Sequence, residues 1–152
     1  MLTYPPKIAG YAGAVAATMG NIPLIQKKSP PAVLVIDDEA LIRWSLAEAL
    51  GDRGYAVTEA GDARMALAAI ETAQHPFDVV LLDYRLPDSA DLHLLQKIRH
   101  RLPNARVIMI TAHNSPELAH GAVALGAYRV ISKPFEMESL AALVNQARRD
   151  ER

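Results

Sequence analysis

The chain has 152 residues, of which 51% are hydrophobic and only 5% aromatic, and its formal net charge is −1. These values predict one globular domain with an aliphatic core, and the near-neutral charge argues against nucleic acid or an anionic membrane as a partner. The chain contains no cysteine, which excludes disulfide bonds, thiolate metal sites and cysteine nucleophiles. No apolar run reaches the roughly 18 residues that a membrane-spanning helix needs.

Residues 1–30 are predicted to form a flexible N-terminal extension. They run into the polar, proline-rich segment Lys-Lys-Ser-Pro-Pro at 27–31, which is typical of a domain boundary. The stretch 8–19 is only a weak match to a signal peptide, because it is rich in Gly and Ala rather than Leu. We therefore expect a leader or an upstream start codon, a cytoplasmic protein, and one domain over residues 31–150.

Five short apolar runs predict strands that are buried on both faces. The runs are four to six residues long, are built mostly from β-branched residues and Leu, and show no polar alternation, as in a parallel sheet. They cover residues 33–36, 55–60, 77–82, 106–110 and 128–131.

A helical spacing of apolar residues follows each of these runs. The five stripes are Ile42, Leu46, Ala49 and Leu50; Ala66, Ala69, Ile70 and Ala73; Leu95, Ile98 and Leu102; Leu118, Ala122 and Leu125; and Leu140, Leu143, Val144 and Ala147. Gly51 and Gly54 are expected to close the first helix and Gly126 the fourth, while Ser115 is expected to cap the start of the fourth. Strands that alternate with helices predict an open, doubly wound (βα)5 α/β fold, with a five-stranded parallel sheet of flavodoxin-like order 2-1-3-4-5.

Polar residues stand directly after four of the predicted strands. Asp37-Asp38-Glu39 follow the first, Asp83 the third, Thr111 the fourth, and Ser132 and Lys133 the fifth. Because the carboxyl ends of parallel strands meet at one edge of a sheet, we expect these side chains to share one pocket.

Carboxylates that are packed together repel one another unless a cation neutralises them. Their hard oxygens select a hard ion such as Mg²⁺, and Lys133 and Thr111 add an ammonium and a hydroxyl. A nucleophilic carboxylate, a metal, a cation and a hydroxyl are the parts that hold a transferring phosphoryl group.

The same residues resemble the signature of response-regulator receiver domains. The resemblance is carried by Asp37-Asp38, by Asp83 within the run Leu-Leu-Asp-Tyr-Arg-Leu-Pro, by Thr111-Ala112 and by Lys133-Pro134-Phe135. It extends over residues 32–149 and is closest in motif style to receivers of the nitrogen-regulation type.

The resemblance implies a role for each site residue. Asp83 would be the phosphoacceptor. The Mg²⁺ ligands would be the side chains of Asp38 and Asp83, a water held by Asp37, and the backbone carbonyl of Arg85. Thr111 and Lys133 would bind phosphoryl oxygens, and the bond between Lys133 and Pro134 would be cis.

Two departures from the family pattern bear on signal output. Val130 stands at the switch position, where relatives carry an aromatic residue that swings inward on phosphorylation. Ala90-Asp91 stands where relatives commonly have Asp-Gly, which removes a permissive backbone position, although Asp91 could cap the third helix.

The resemblance implies a signalling protein rather than an enzyme. Its partners would be a sensor histidine kinase or a histidine phosphotransfer protein, and a downstream effector protein or a missing output domain. The face formed by the fourth helix, the fifth strand and the fifth helix would carry the signal and is a candidate for a weak homodimer. Val130 favours an alternative, an atypical receiver that acts as a phosphorylation-independent protein-interaction module. A Mg²⁺-dependent phosphohydrolase has less support, because Arg85 stands where a second catalytic Asp is usual.

Overall fold

The computed structural model describes residues 2–4 and 29–150. One sheet contains six strands: β1 (Leu2–Tyr4), β2 (Ala32–Ile36), β3 (Ala56–Ala60), β4 (Val79–Asp83), β5 (Arg106–Thr111) and β6 (Arg129–Ser132). The helices of this part of the chain are α1 (Ala40–Asp52), α2 (Ala63–Thr72), α3 (His93–Arg101), α4 (Pro116–Ala124) and α5 (Met137–Arg149). None of these helices is long and apolar enough to cross a membrane.

The sheet order is β1-β3-β2-β4-β5-β6. Strands β2 to β6 are the five predicted strands, and they pair in parallel, which confirms the predicted doubly wound order. Strand β1 is an addition, because it pairs antiparallel with the outer edge of β3. A three-residue strand has no periodic pattern to recognise, and its pairing depends on the free backbone groups of an edge strand. Residues 5–28, including the stretch 8–19, lie outside the described residues, so the flexibility of the extension stays a prediction.

The alternating side chains of the sheet pack into two apolar layers. On one face, Leu34, Val80 and Met109 pack with the buried residues of α2, α3 and α4. On the other face, Val35 and Leu81 pack with the buried residues of α1 and α5. Every residue of β4 is buried, as expected for a central strand that is covered on both sides.

Helix ends match the predicted signals in part. The Ser115 side chain accepts a hydrogen bond from the backbone N–H of Leu118 and caps α4, and Gly54 and Gly126 adopt positive φ values of 93° and 102°. Gly51 was expected to end α1, but it is a buried residue inside that helix. The N-cap of α3 is Leu92, not Asp91, because Asp91 accepts the N–H of His93 through a turn before the helix begins.

Candidate functional site

Lys133 is the centre of the polar cluster at the carboxyl edge of the sheet. Its Nζ donates hydrogen bonds to Asp37 Oδ2 at 2.9 Å, Asp83 Oδ2 at 3.1 Å and Glu39 Oε1 at 3.2 Å. The sheet delivers Lys133 to this point because Ser132 is paired with Thr111 and the Lys133 N–H donates to the Thr111 carbonyl at 2.8 Å. The peptide bond between Lys133 and Pro134 is cis, the isomer that the resemblance implied.

The two buried carboxylates are each held by the backbone as well as by Lys133. Asp37 is 2% exposed, and its Oδ1 accepts the N–H of Glu39 at 2.9 Å. Asp83 is 6% exposed, and its Oδ1 accepts the N–H of Arg85 at 3.2 Å. One oxygen of each carboxylate is therefore fixed by its own loop, while the other faces the ammonium group.

This arrangement holds an excess of negative charge in a buried place. Burial and the nearby charge of Asp37 raise the pKa of Asp83 to about 6, against the opposing effects of Lys133 and the Arg85 N–H. Burial alone would lower the pKa of Lys133, but its hydrogen bonds to Asp37 and Asp83 outweigh that effect and hold the pKa above its ordinary value. The single ammonium thus neutralises the carboxylates only in part.

The acidic loop after β2 has the composition of a divalent metal site. Asp37, Asp38 and Glu39 each offer a carboxylate oxygen, and these oxygens lie within 4.8 Å of one another. Asp83 is linked to these carboxylates by Lys133, whose Nζ donates hydrogen bonds to both Asp37 and Asp83. A set of hard oxygen donors with surplus negative charge fits Mg²⁺.

Glu39 joins the cluster, as its position after the first predicted strand led us to expect, but it was not among the predicted ligands. Its side chain is 59% exposed and reaches Lys133, although the predicted ligand set contained only Asp37, Asp38, Asp83 and the Arg85 carbonyl. Its position immediately after the two aspartates was the available signal.

Thr111 ends β5 as a buried residue beside this cluster. Its side-chain oxygen accepts the N–H of His113 at 3.1 Å, and a hydroxyl that accepts one hydrogen bond can still donate another. Val130 lies elsewhere: it is half-buried in β6 and packs against the core layer that contains α2, α3 and α4.

An apolar groove of about 580 Å³ adjoins the site. Its lining extends from Lys133 and Phe135 to Leu41 and Ile42 at the start of α1. Leu41 is 75% exposed, so a large apolar side chain faces solvent close to the acidic cluster.

The response regulator receiver domain is the family whose sequence model matches residues 33–145. The chain belongs to this family. As a receiver domain it is 38% identical over 115 residues to the DNA-binding transcriptional regulator NtrC of Salmonella typhimurium, an alignment that covers 76% of this chain and 24% of the relative. It is also 38% identical over 116 residues to the response regulator protein PilR of Pseudomonas aeruginosa, covering 76% and 26% of the two chains. The receiver chain thus spans about a quarter of the length of these relatives.

Solved structures give the same family and fold. The receiver domain superposes on a CheY-like response regulator receiver domain protein from Methanospirillum hungatei with a TM-score of 0.74 and 31% identity, covering 79% of this chain and 94% of that one. It superposes on the chemotaxis protein CheY4 of Vibrio cholerae with a TM-score of 0.72 and 30% identity, covering 78% and 99%. The predicted recognition and fold class are confirmed, and the chain is a receiver domain of two-component signalling.

Proposed function

We propose that this receiver accepts a phosphoryl group on Asp83 from a sensor histidine kinase or a histidine phosphotransfer protein. The observation that carries the proposal is the bridge from Lys133 Nζ to both Asp37 Oδ2 and Asp83 Oδ2. It puts a positive charge at the outer oxygen of a buried carboxylate, where a phosphoryl group would be received. Transfer forms a bond from that oxygen to phosphorus and breaks the bond from phosphorus to the imidazole nitrogen of the donor.

Asp83 must be ionised to act as the nucleophile. With a pKa of about 6, the carboxylate is mostly deprotonated at pH 7 and above. Its Oδ1 stays bound to the Arg85 N–H, which leaves Oδ2 as the attacking atom. After transfer, Lys133 can exchange its contact with the carboxylate for one with a phosphoryl oxygen, and the Thr111 hydroxyl can donate to a second.

Mg²⁺ would be held by the side chains of Asp38 in the acidic loop and Asp83 at the end of β4. A water held by Asp37 and the backbone carbonyl of Arg85 would be further ligands. When bound, the ion supplies neutralising charge to the phosphoryl oxygens. Glu39 lies within 4.8 Å of the other two loop carboxylates and is a further candidate ligand.

The signal would leave the site through movements of Lys133 and Thr111. Both belong to the β5 and β6 ends, and their movement toward a phosphoryl group would change the face formed by α4, β6 and α5. Val130 provides no ring to swing between buried and exposed positions. The partner of this face would be a separate effector protein, an output domain or a second copy in a weak homodimer, and we place these events in the cytoplasm.

Val130 also favours the second candidate function, a receiver that binds a protein partner independently of phosphorylation. The two functions differ in whether Asp83 is modified. We expect acetyl phosphate with Mg²⁺ to give a retarded band on a Phos-tag gel, and we expect Asp83→Ala to abolish it. Asp78→Ala is a matched control, because Asp78 precedes β4 at the opposite end of that strand. No retarded band, or a band that survives in Asp83→Ala, would reject phosphorylation of Asp83 and leave the interaction module.

A further inference from the structure

Arg43 connects the acidic loop to the outer half of the sheet. It lies on α1, and its Nη1 donates a hydrogen bond of 2.7 Å to the backbone carbonyl of Asp37. Its Nε lies 3.3 Å from Oε1 of Glu59 on β3. One guanidinium group therefore contacts both the peptide that joins Asp37 to Asp38 and a carboxylate on the neighbouring strand.

Glu59 is a charged residue in a place where charge is costly. It is 4% exposed and is paired with Val35 in the sheet register, and its Oε2 has no hydrogen-bond partner among the described residues. A buried carboxylate with one unsatisfied oxygen depends strongly on its cation. Glu59 therefore holds the Arg43 guanidinium in place.

The surroundings leave little freedom to the guanidinium. A Cβ added at Gly61 would lie 3.3 Å from Arg43 Nη1, so the chain after β3 passes close to this group. The Arg43 side chain is 20% exposed. A planar guanidinium with several donors suits such a site better than an ammonium, because it can donate in two fixed directions at once.

The N-terminal strand reaches the same pair. Tyr4 packs against the core layer of α1 and α5, and the nearby Glu59 carboxylate raises the pKa of the Tyr4 hydroxyl. Strand β1 also pairs with β3 through Leu2 and Glu59, Thr3 and Thr58, and Tyr4 and Val57. A continuous set of contacts thus runs from β1 through Glu59 and Arg43 to Asp37.

We propose that Arg43, held by Glu59, is a positioning residue of the phosphoacceptor site, and that strand β1 influences the site through this pair. Arg43 fixes the peptide plane between Asp37 and Asp38 and so sets the direction of the Asp38 carboxylate before a metal ion binds. Without it, the loop must be ordered by the ion itself, and this ordering weakens binding. The proposal rests on the proposed function for its phosphorylation readout, whereas Mg²⁺ binding is measured separately.

The test compares variants of the 152-residue chain by calorimetric titration with Mg²⁺ alone and by the rate of phosphorylation with acetyl phosphate. We expect Arg43→Ala to bind Mg²⁺ about tenfold more weakly, the effect of losing one charge-assisted hydrogen bond. The phosphorylation rate at saturating Mg²⁺ should stay near that of the wild type, because Asp83 and Lys133 are unchanged. Arg43→Lys keeps a donor for the Asp37 carbonyl and should recover most of the affinity. Glu59→Gln and Tyr4→Phe should weaken binding progressively less than Arg43→Ala.

Val57→Ala is the matched control for a general loss of stability. Val57 is buried on β3 two residues before Glu59. It belongs to the core layer of α1 and α5, against which Tyr4 also packs, but its side chain donates no hydrogen bond. The proposal is overturned if Val57→Ala weakens Mg²⁺ binding as much as Arg43→Ala does, or if Glu59→Gln and Arg43→Ala both bind Mg²⁺ with the wild-type affinity. A wild-type chain that binds no Mg²⁺ and accepts no phosphoryl group would instead reject the proposed function together with this inference. Should Arg43→Ala fail to fold, Glu59→Gln set against Val57→Ala gives the same comparison.

Discussion

The two edges of the sheet both carry charged clusters, but the clusters differ in burial and in charge balance. At the carboxyl edge, Asp37 and Asp83 are almost fully buried and share one lysine. At the amino edge, Asp78 is exposed and accepts the N–H of Ala32 at 2.7 Å. Asp150 is also exposed there: its side chain accepts the hydroxyl of Tyr128, and its backbone carbonyl accepts from Arg106 Nη2 at 2.8 Å.

The difference in burial and charge balance indicates that the amino-edge charges only join segments of the chain, whereas the carboxyl-edge cluster is suited to binding an ion or reacting. At the amino edge the charges lie in water and most of their partners are backbone groups, so they join segments of the chain without opposing one another. At the carboxyl edge the carboxylates lie out of water with too little positive charge, and the pKa of Asp83 is raised as a result. Such local conflict is expected where a protein binds an ion or reacts rather than where it is only held together.

Removing the lysine should produce the largest effect. Lys133→Met leaves the two buried carboxylates without their cation, and we expect a loss of about 3 kcal/mol in the free energy of unfolding at pH 8. Urea denaturation measures the loss. It should shrink as the pH falls, because Asp83 then takes up a proton, and it should also shrink when Mg²⁺ is added. A loss that stays the same at pH 5 would show that Lys133 acts by packing and not by charge.

Neutralising Asp83, the proposed phosphoacceptor, should change the free energy of unfolding in the opposite direction. The folded-state pKa of Asp83 is raised from 3.8 to about 6, so the folded protein binds more protons than the unfolded chain in that window and loses stability as the pH rises through it. We therefore expect Asp83→Asn to be more stable than the wild type by about 2 kcal/mol at pH 7.5 without Mg²⁺.

The extra stability of Asp83→Asn should fall toward zero below pH 4, because Asp83 of the wild type then becomes protonated and is as neutral as the asparagine. Urea denaturation at pH 4 and pH 7.5 measures the change. Mg²⁺ should stabilise the wild type and have little effect on the variant. A variant that is less stable than the wild type at pH 7.5 would contradict the excess of negative charge that we assign to this edge.

Removing the Asp78 carboxylate at the amino edge should change the free energy of unfolding by less than either of these substitutions. Asp78→Ala removes the acceptor of the Ala32 N–H, and we expect a loss of about 1 kcal/mol, as for a single exposed hydrogen bond. The loss should not depend on Mg²⁺, and phosphorylation should proceed at the wild-type rate. Chemical denaturation with and without the ion gives the measurement, and a Mg²⁺-dependent result would break the contrast between the two edges.

The smallest effect is expected at Tyr128. Its hydroxyl donates to Asp150, and the guanidinium groups of Arg106 and Arg129 lie 5.3 Å and 5.7 Å from its ring centre. Tyr128→Phe keeps the ring and removes only an exposed hydrogen bond. We expect a thermal midpoint within a few degrees of the wild type and unchanged Mg²⁺ affinity. A marked drop in that affinity would mean that the amino edge is coupled to the site.

The sequence determined most of the fold and the main site residues by itself. Buried parallel strands are apolar along their whole length, so their runs were visible without alignment, and the polar residues that follow them had to meet at one edge. Asp37, Asp83 and Lys133 do meet there. The choice of Asp83 as the proposed nucleophile came from the family resemblance, not from the periodicity.

Only the tertiary structure decided which groups touch across long separations and how strongly they are buried. The pairing of β1 with β3 and the bridge from Arg43 to Glu59 join segments that no local pattern relates. The raised pKa of Asp83 likewise follows from burial and from the proximity of Asp37. Electrostatic energies depend on distance and solvent exposure, and both are properties of the folded chain rather than of the order of its residues.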